Sequence, residues 1–276
     1  MNVGEALAEA TRILQASDIP NARLTAEILL AHFLNVDREY LFAHSSDLLD
    51  PAKRETFDFA VWKRTTGEPL QYITGVQEFY GRKFNVTRDV LIPRPETEHL
   101  IDAVRELDPR EGNRIIDVGT GSGCIAITLA LEIEGAHMFA GDISLAALLV
   151  ARANAIRLDA QLRLVCMELL DAIEGPFDFV VSNPPYIASE EIGALQREVR
   201  DHEPRVALVP PDEPRELYRR LVSEAHDRLR PGGHLIMEIG AGMEGDVLDL
   251  LDTGWWKLPT KLDLQGIPRT VIARKG

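Results

Sequence analysis

From Arg114 onward, short apolar runs alternate with segments of helical periodicity, and this alternation constrains the fold more than any other feature of the chain. Strand-like runs fall at residues 114–118, 137–141, 163–166, 177–182, 234–239 and 270–273. Helical segments fall at 124–132, 144–158, 215–229 and 243–251. Apolar runs this short read as strands buried on both faces. Repeated strand–helix–strand units close into a mainly parallel sheet with helices on either side. The expected class is α/β.

The first 75 residues follow a different rule. Leu7, Ile13 and Leu14, then Leu24, Ile28, Leu29 and Leu30, recur at helical spacing with no two-residue alternation. Asp50-Pro51 reads as an N-cap with proline at the first helical position, opening a helix to about Arg64 that Thr66-Gly67 ends. A small helical domain is expected over 1–75. Residues 76–80 and 83–87 flank Gly81-Arg82 as a β-hairpin, and 76–92 form a linker. Pro93 and Pro95 precede a helix over about 96–107, which opens the main domain, 93–276.

Composition narrows the partners. The formal charge is −14, and a protein that grips duplex DNA presents a basic face, so direct DNA binding is not expected. No apolar run reaches the ~18 residues of a membrane span, and the opening residues lack a charged-then-apolar leader pattern. A cytoplasmic monomer is expected. Cys124 and Cys166 sit in apolar stretches and read as two buried small hydrophobes. The histidines show no metal-binding spacing, so no metal site is expected.

Two segments carry chemistry. Ile115-Ile116-Asp117-Val118-Gly119-Thr120-Gly121-Ser122-Gly123 is a strand running into a glycine turn and then a helix, the arrangement that lets a backbone approach a ligand closely. Asp142 closes the next strand, where an acid grips ribose hydroxyls. That pair suits a dinucleotide or an adenosyl ligand. Asp117 favours the adenosyl case, because an acid there would repel a pyrophosphate and attract the positive charge of S-adenosyl-L-methionine. The second segment is Asn183-Pro184-Pro185-Tyr186, following the strand 177–182. Two prolines fix the backbone and remove donors, leaving outward carbonyls. The Asn183 side-chain oxygen and the Pro184 carbonyl offer two acceptors to a planar NH₂ group, and Tyr186 a flat face. Methylation of an amide or amine nitrogen is the expected reaction.

These motifs resemble those of the HemK/PrmC family, the N5-glutamine methyltransferases of peptide chain release factors. The likeness runs through Glu68-Pro69-Leu70-Gln71-Tyr72-Ile73-Thr74-Gly75, Leu91-Ile92-Pro93-Arg94-Pro95-Glu96-Thr97-Glu98, Asp117 to Gly123, Asp142-Ile143-Ser144, Ser182 to Ile187, Glu203-Pro204 and Glu238-Ile239-Gly240. Asn-Pro-Pro-Tyr alone is shared with adenine-N6 DNA methyltransferases, and the Pro-Arg-Pro-Glu-Thr-Glu stretch narrows the family. The resemblance implies a class I methyltransferase with a Rossmann-like sheet. It implies an S-adenosyl-L-methionine site built from Asp117, Gly119, Thr120, Gly121, Ser122, Gly123, Asp142 and Asn183, with Glu168 and Leu169 bordering the adenine. Asn183, Pro184, Pro185 and Tyr186 would hold the glutamine of a Gly-Gly-Gln motif, with Asn183, Pro184 and Tyr186 catalytic. The helical domain would recognise the release factor. The chain departs from the family pattern twice. Pro210-Pro211-Asp212-Glu213-Pro214-Arg215-Glu216-Leu217 replaces a glycine-containing stretch, and Met243 or a neighbour replaces a glutamine.

Overall fold

The computed structural model describes residues 1–276. Five helices come first: α1 (Val3–Ala16), α2 (Ala22–Leu34), α3 (Arg38–Ala43), α4 (Pro51–Thr65) and α5 (Leu70–Thr74). The strands β1 (Val76–Phe79) and β2 (Arg82–Asn85) and helix α6 (Glu98–Glu106) follow. Then come β3 (Arg114–Val118), α7 (Cys124–Glu132), β4 (His137–Asp142), α8 (Leu145–Arg157), β5 (Arg163–Cys166) and β6 (Phe177–Ser182). Short helices α9 (Arg197–His202) and α10 (Arg205–Leu208) precede α11 (Pro214–Arg228), β7 (Leu229–Glu238) and α12 (Glu244–Leu250). The chain closes with β8 (Trp255–Lys257), β9 (Lys261–Leu262) and β10 (Pro268–Lys275).

Two compact units result. The first comprises residues 1–76 with 196–202. In α1 the Asn2 side chain accepts from the Glu5 amide, and Glu5 accepts from the Asn2 amide, so both ends of a capping box are satisfied. Asp50 caps α4 by accepting from Ala52 and Lys53. Leu7 and Leu14 of α1, Leu29 and Leu30 of α2, and Phe57 of α4 fill the core of this unit. Glu27, buried within it, is held between Arg23 at 2.6 Å and Arg38 at 2.7 Å. Arg64 pairs with Glu198 of α9 at 2.9 Å, tying the later segment to this unit.

The second unit, residues 77–195 with 203–276, carries the large sheet, in the order β5-β4-β3-β6-β7-β10-β8 with β9 on β10. β5, β4, β3, β6 and β7 run parallel, and β10 is antiparallel to β7. The chain winds outward from β3 to β5, then returns to place β6 on the other side of β3. That reversal opens a crevice at the strands' carboxyl ends, where ligands bind in such sheets. Apolar side chains on both faces bury the sheet, with Ile115, Phe179 and Val181 on one side and Ile116, Val180 and Met237 on the other.

The strand bounds at 114–118, 163–166 and 177–182 are those the sequence leads one to expect. β7 starts earlier than expected, at Leu229, because Leu229 pairs with Phe177 across a register shift. One expectation is corrected. Cys124 is buried in α7, but Cys166 is exposed, because β5 is the edge strand and its outward positions meet solvent.

Asn154 in the last turn of α8 is fully buried, and its amide is fully used. Its Nδ2 donates to the Ser122 and Asn85 carbonyls, both at 2.9 Å, and its Oδ1 accepts from the Asn85 amide at 2.7 Å. One side chain thus fastens the hairpin to the glycine turn. Asn154→Ala would strand buried donors and acceptors on both segments, and a loss of about 2–4 kcal/mol is expected. Urea denaturation checks this, and a midpoint equal to the parent's would show the amide to be dispensable.

Candidate functional site

The strand register explains why distant residues meet. Ser182 at the end of β6 pairs with Val118 of β3 on one side and Met237 of β7 on the other. Its hydroxyl donates to the Val118 carbonyl at 2.7 Å, pinning the two strand ends together. The next residues, Gly119, Asn183 and Glu238, therefore sit together at the carboxyl edge.

A cavity of about 930 Å³, counting its open mouth, lies on this edge. Val118, Gly119 and Gly121 line it after β3, Asp142, Ile143 and Ser144 after β4, Met167, Glu168 and Leu169 after β5, and Ser182, Asn183, Pro184 and Pro185 after β6. Asp89, Val90 and Leu91 close one side, and Val206, Ala207, Pro211 and Leu217 another. So Gly119, Gly121, Asp142, Glu168, Leu169, Asn183, Pro184 and Pro185, all expected from the sequence, come together on one wall or another.

Asp117, Thr120, Ser122 and Gly123 lie behind that wall. The Thr120 hydroxyl donates to Asp117 Oδ2 at 2.6 Å, and Asp117 Oδ1 accepts no hydrogen bond. Burial pushes the Asp117 carboxyl up to about 7, against the lowering pull of the Thr120 hydroxyl. Gly123 is small for packing, since a Cβ there would come within 2.9 Å of Ile127 and 3.1 Å of Ala151. Gly119 and Gly121 differ. Both have left-handed φ, +75° and +54°, and a Cβ on either would meet nothing within 4 Å. They leave free the space a ligand would take.

Asp142 organises the turn. Its Oδ2 accepts from the Gly121 amide and its Oδ1 from the Ser144 amide, both at 2.9 Å. Burial raises its pKa above the usual carboxylate value, with those amides opposing. Three carboxylate residues (Asp89, Asp142 and Glu168) line the cavity, and no lysine, arginine or histidine does. Such a wall repels a pyrophosphate and accepts a cation. With the open glycine cradle, the Asp142 oxygens and the apolar side chains of Ile143, Met167 and Leu169, it fits an adenosyl group carrying a positive charge.

Asn183 is held from behind. Its Nδ2 donates to Thr97 Oγ1 at 3.1 Å, and the Thr97 hydroxyl donates to Glu238 Oε2 at 2.6 Å. Glu238 is buried at the end of β7, and burial pushes its carboxyl up to about 7, against the lowering effects of Thr97 and Arg269. Tyr186 lies outside the cavity wall. Its ring packs where a Cβ on Gly240 would approach within 3.1 Å, beside Met243. Burial pushes the Tyr186 phenol up to about 12, so it stays protonated and is no base. Met243 packs over Gly240. Of the atypical stretch 210–217, Pro211 and Leu217 line the cavity and Pro214 opens α11.

The Pro-Arg-Pro-Glu-Thr-Glu stretch supplies ties to each neighbour. Arg94 pairs with Glu203 at 2.5 Å, Thr97 bridges Asn183 and Glu238, and Glu98 accepts from the Tyr80 amide of the hairpin at 2.7 Å. In the sequence Thr97, Glu203 and Glu238 stand out only by resemblance, with no role attached. For Glu238 the usable signal was an acid embedded in the apolar run Leu235-Ile236-Met237-Glu238-Ile239.

Comparison with known proteins gives concordant likenesses. Residues 5–75 match the family described as PrmC N-terminal domain, and residues 97–201 match the methyltransferase small domain. A release factor glutamine methyltransferase of Koribacter versatilis is 46% identical over 278 residues, covering 100% of this chain and 99% of its own. Its counterpart in Bradyrhizobium diazoefficiens is 40% identical, covering 99% of this chain and 96% of its own. Among solved structures, a methyltransferase from Pyrococcus furiosus matches with a TM-score of 0.52 at 19% identity, covering 72% of this chain and 91% of its own.

Proposed function

The chain belongs to the release factor glutamine methyltransferases, and from that premise we propose that it methylates N5 of the glutamine in the Gly-Gly-Gln motif of a peptide chain release factor. It is a class I methyltransferase, and its methyl donor is S-adenosyl-L-methionine. The observation that carries the reading is the placement of Asn183-Pro184-Pro185 in one cavity with Gly119, Gly121 and Asp142, a cavity without a single basic side chain.

The bound cofactor supplies an electrophilic methyl group on a sulfonium, and this chain's residues bind and orient what that methyl meets. Gly119, Gly121 and Asp142 hold the adenosyl moiety, with Glu168 and Leu169 at the adenine. Asn183 Oδ1 and the Pro184 carbonyl accept the two N–H bonds of the substrate amide. An amide nitrogen is a poor nucleophile because its lone pair is spread into its carbonyl. Two fixed acceptors orient it and favour the geometry that localises that pair. Pro185 adds no donor to compete for them, and the protonated Tyr186 ring serves as a packing face rather than a base. The amide proton leaves to water.

Residues 1–75 are proposed as the unit that recognises the release factor, 76–92 as the linker and 93–276 as the methyltransferase domain. The protein is proposed to act as a monomer in the cytoplasm without binding DNA. No helix is long and apolar enough to cross a membrane. Incubation with labelled S-adenosyl-L-methionine and purified release factor should label the factor on its Gly-Gly-Gln glutamine, and much faster than a Gly-Gly-Gln peptide. Label absent from the factor but present on DNA or on a ribosomal protein would overturn the reading.

A further inference from the structure

Between β6 and β7 the Thr97 hydroxyl is the middle of a three-member relay, Asn183–Thr97–Glu238, whose members lie far apart in sequence. Thr97 is 3% exposed and does not line the cavity, whereas Asn183 does. The hydroxyl has one proton. Ionised, the Glu238 carboxylate can only accept, so in that state the proton goes to Glu238 and the Thr97 oxygen must accept. The Asn183 amide therefore turns its NH₂ to Thr97 and leaves its Oδ1 to the cavity. Reversing the amide would set two acceptors, Asn183 Oδ1 and Thr97 Oγ1, face to face.

We propose that Thr97 is a positioning residue for methyl transfer: backed by Glu238, it fixes the orientation of the Asn183 amide so that Oδ1 faces the substrate nitrogen. This rests on the reading of Asn183 as an acceptor for that nitrogen. Glu238 is itself held in place. Its main-chain carbonyl accepts from the Tyr218 hydroxyl at 2.8 Å, and Tyr186, Glu96 and Arg269 are the other charged or titratable groups acting on its carboxyl. The residue that defines the acceptor is thus supplied by the turn Pro95–Thr97, 86 positions before the residue it orients.

Thr97→Val keeps the shape and removes the hydroxyl, so the Asn183 amide is free to turn. Turnover on release factor should fall by on the order of 10- to 100-fold, while cofactor affinity stays at the parent value. Thr97→Ser restores the hydroxyl and should stay within about threefold of the parent. In an Asn183→Ala background, Thr97→Val should cost nothing further, because it acts only through Asn183. Should Thr97→Val not fold, Glu238→Gln decides on the same terms. Glutamine can offer Thr97 a donor as well as an acceptor, so turnover should fall with cofactor affinity unchanged. Three results would overturn the proposal: turnover of the hydroxyl-free variant within twofold of the parent, equal loss in Thr97→Ser, or an undiminished penalty in the Asn183→Ala background. A parent protein that fails to methylate release factor sinks the functional reading instead, so the two failures are distinguishable.

Discussion

Asn183→Ala should lower the rate of release factor methylation by on the order of 10²- to 10³-fold, as for loss of a positioned acceptor in the transition state. The structure makes the expectation sharper than the motif does. The Asn183 amide is committed at its NH₂ end to Thr97, so its oxygen has no protein partner and only the cavity to serve. Asn183→Asp keeps an oxygen of nearly the same shape but puts a second acceptor against the Thr97 oxygen. It should fall between alanine and the parent. Single-turnover methylation, with cofactor binding measured separately, distinguishes the cases. An Asn183→Ala protein that folds, binds cofactor and methylates at the parent rate would remove Asn183 from the chemistry.

Asp142→Ala should weaken S-adenosyl-L-methionine binding by about 2–4 kcal/mol, roughly 30- to 1000-fold. Two losses combine. The ribose loses a charged acceptor, and the Gly121 and Ser144 amides lose the carboxylate that holds the turn in shape. Asp142→Asn keeps an oxygen for one amide but places an NH₂ against the other, so it should recover only part of the loss. Isothermal titration with the cofactor reads both. An alanine variant binding as tightly as the parent would show that the glycine turn needs neither contact.

The contrast between what was and was not legible follows from range. Buried parallel strands are written as largely apolar runs, so 114–118 and 177–182 are legible residue by residue, and the edge strand 163–166 shares enough of that pattern to be placed. The glycine turn and Asp142 were legible because a ligand-binding turn needs its glycines and acid at fixed local spacing. The stretch from 189 to 208 was not read. Its pieces α9 and α10 are short and take their shape from remote partners, Arg64 for Glu198 of α9 and the Ile187 amide for the Leu208 carbonyl of α10. β8 escaped for a similar reason, being three residues that become a strand only by pairing with β10. The walls at Asp89–Leu91, Met167, Val206 and Ala207 come from loops and the short helix α10, which no local spacing connects. Cys166 proves exposed because an apolar context does not reveal which strand will lie at an edge.

The acid-lined, cation-free cavity also bears on the end of the catalytic cycle. The spent cofactor keeps the adenosine and amino-acid parts of the donor and differs by one methyl and one positive charge. A wall that carries Asp89 and Asp142, with Glu168 paired to Arg220 at 2.6 Å, therefore distinguishes the two by charge rather than by shape. Before transfer the carboxylates face an added positive charge that they attract, and afterwards a neutral thioether, while the contacts to adenosine are the same in both. The same wall that recruits the donor thus holds its remnant less tightly, by electrostatics and with no moving part.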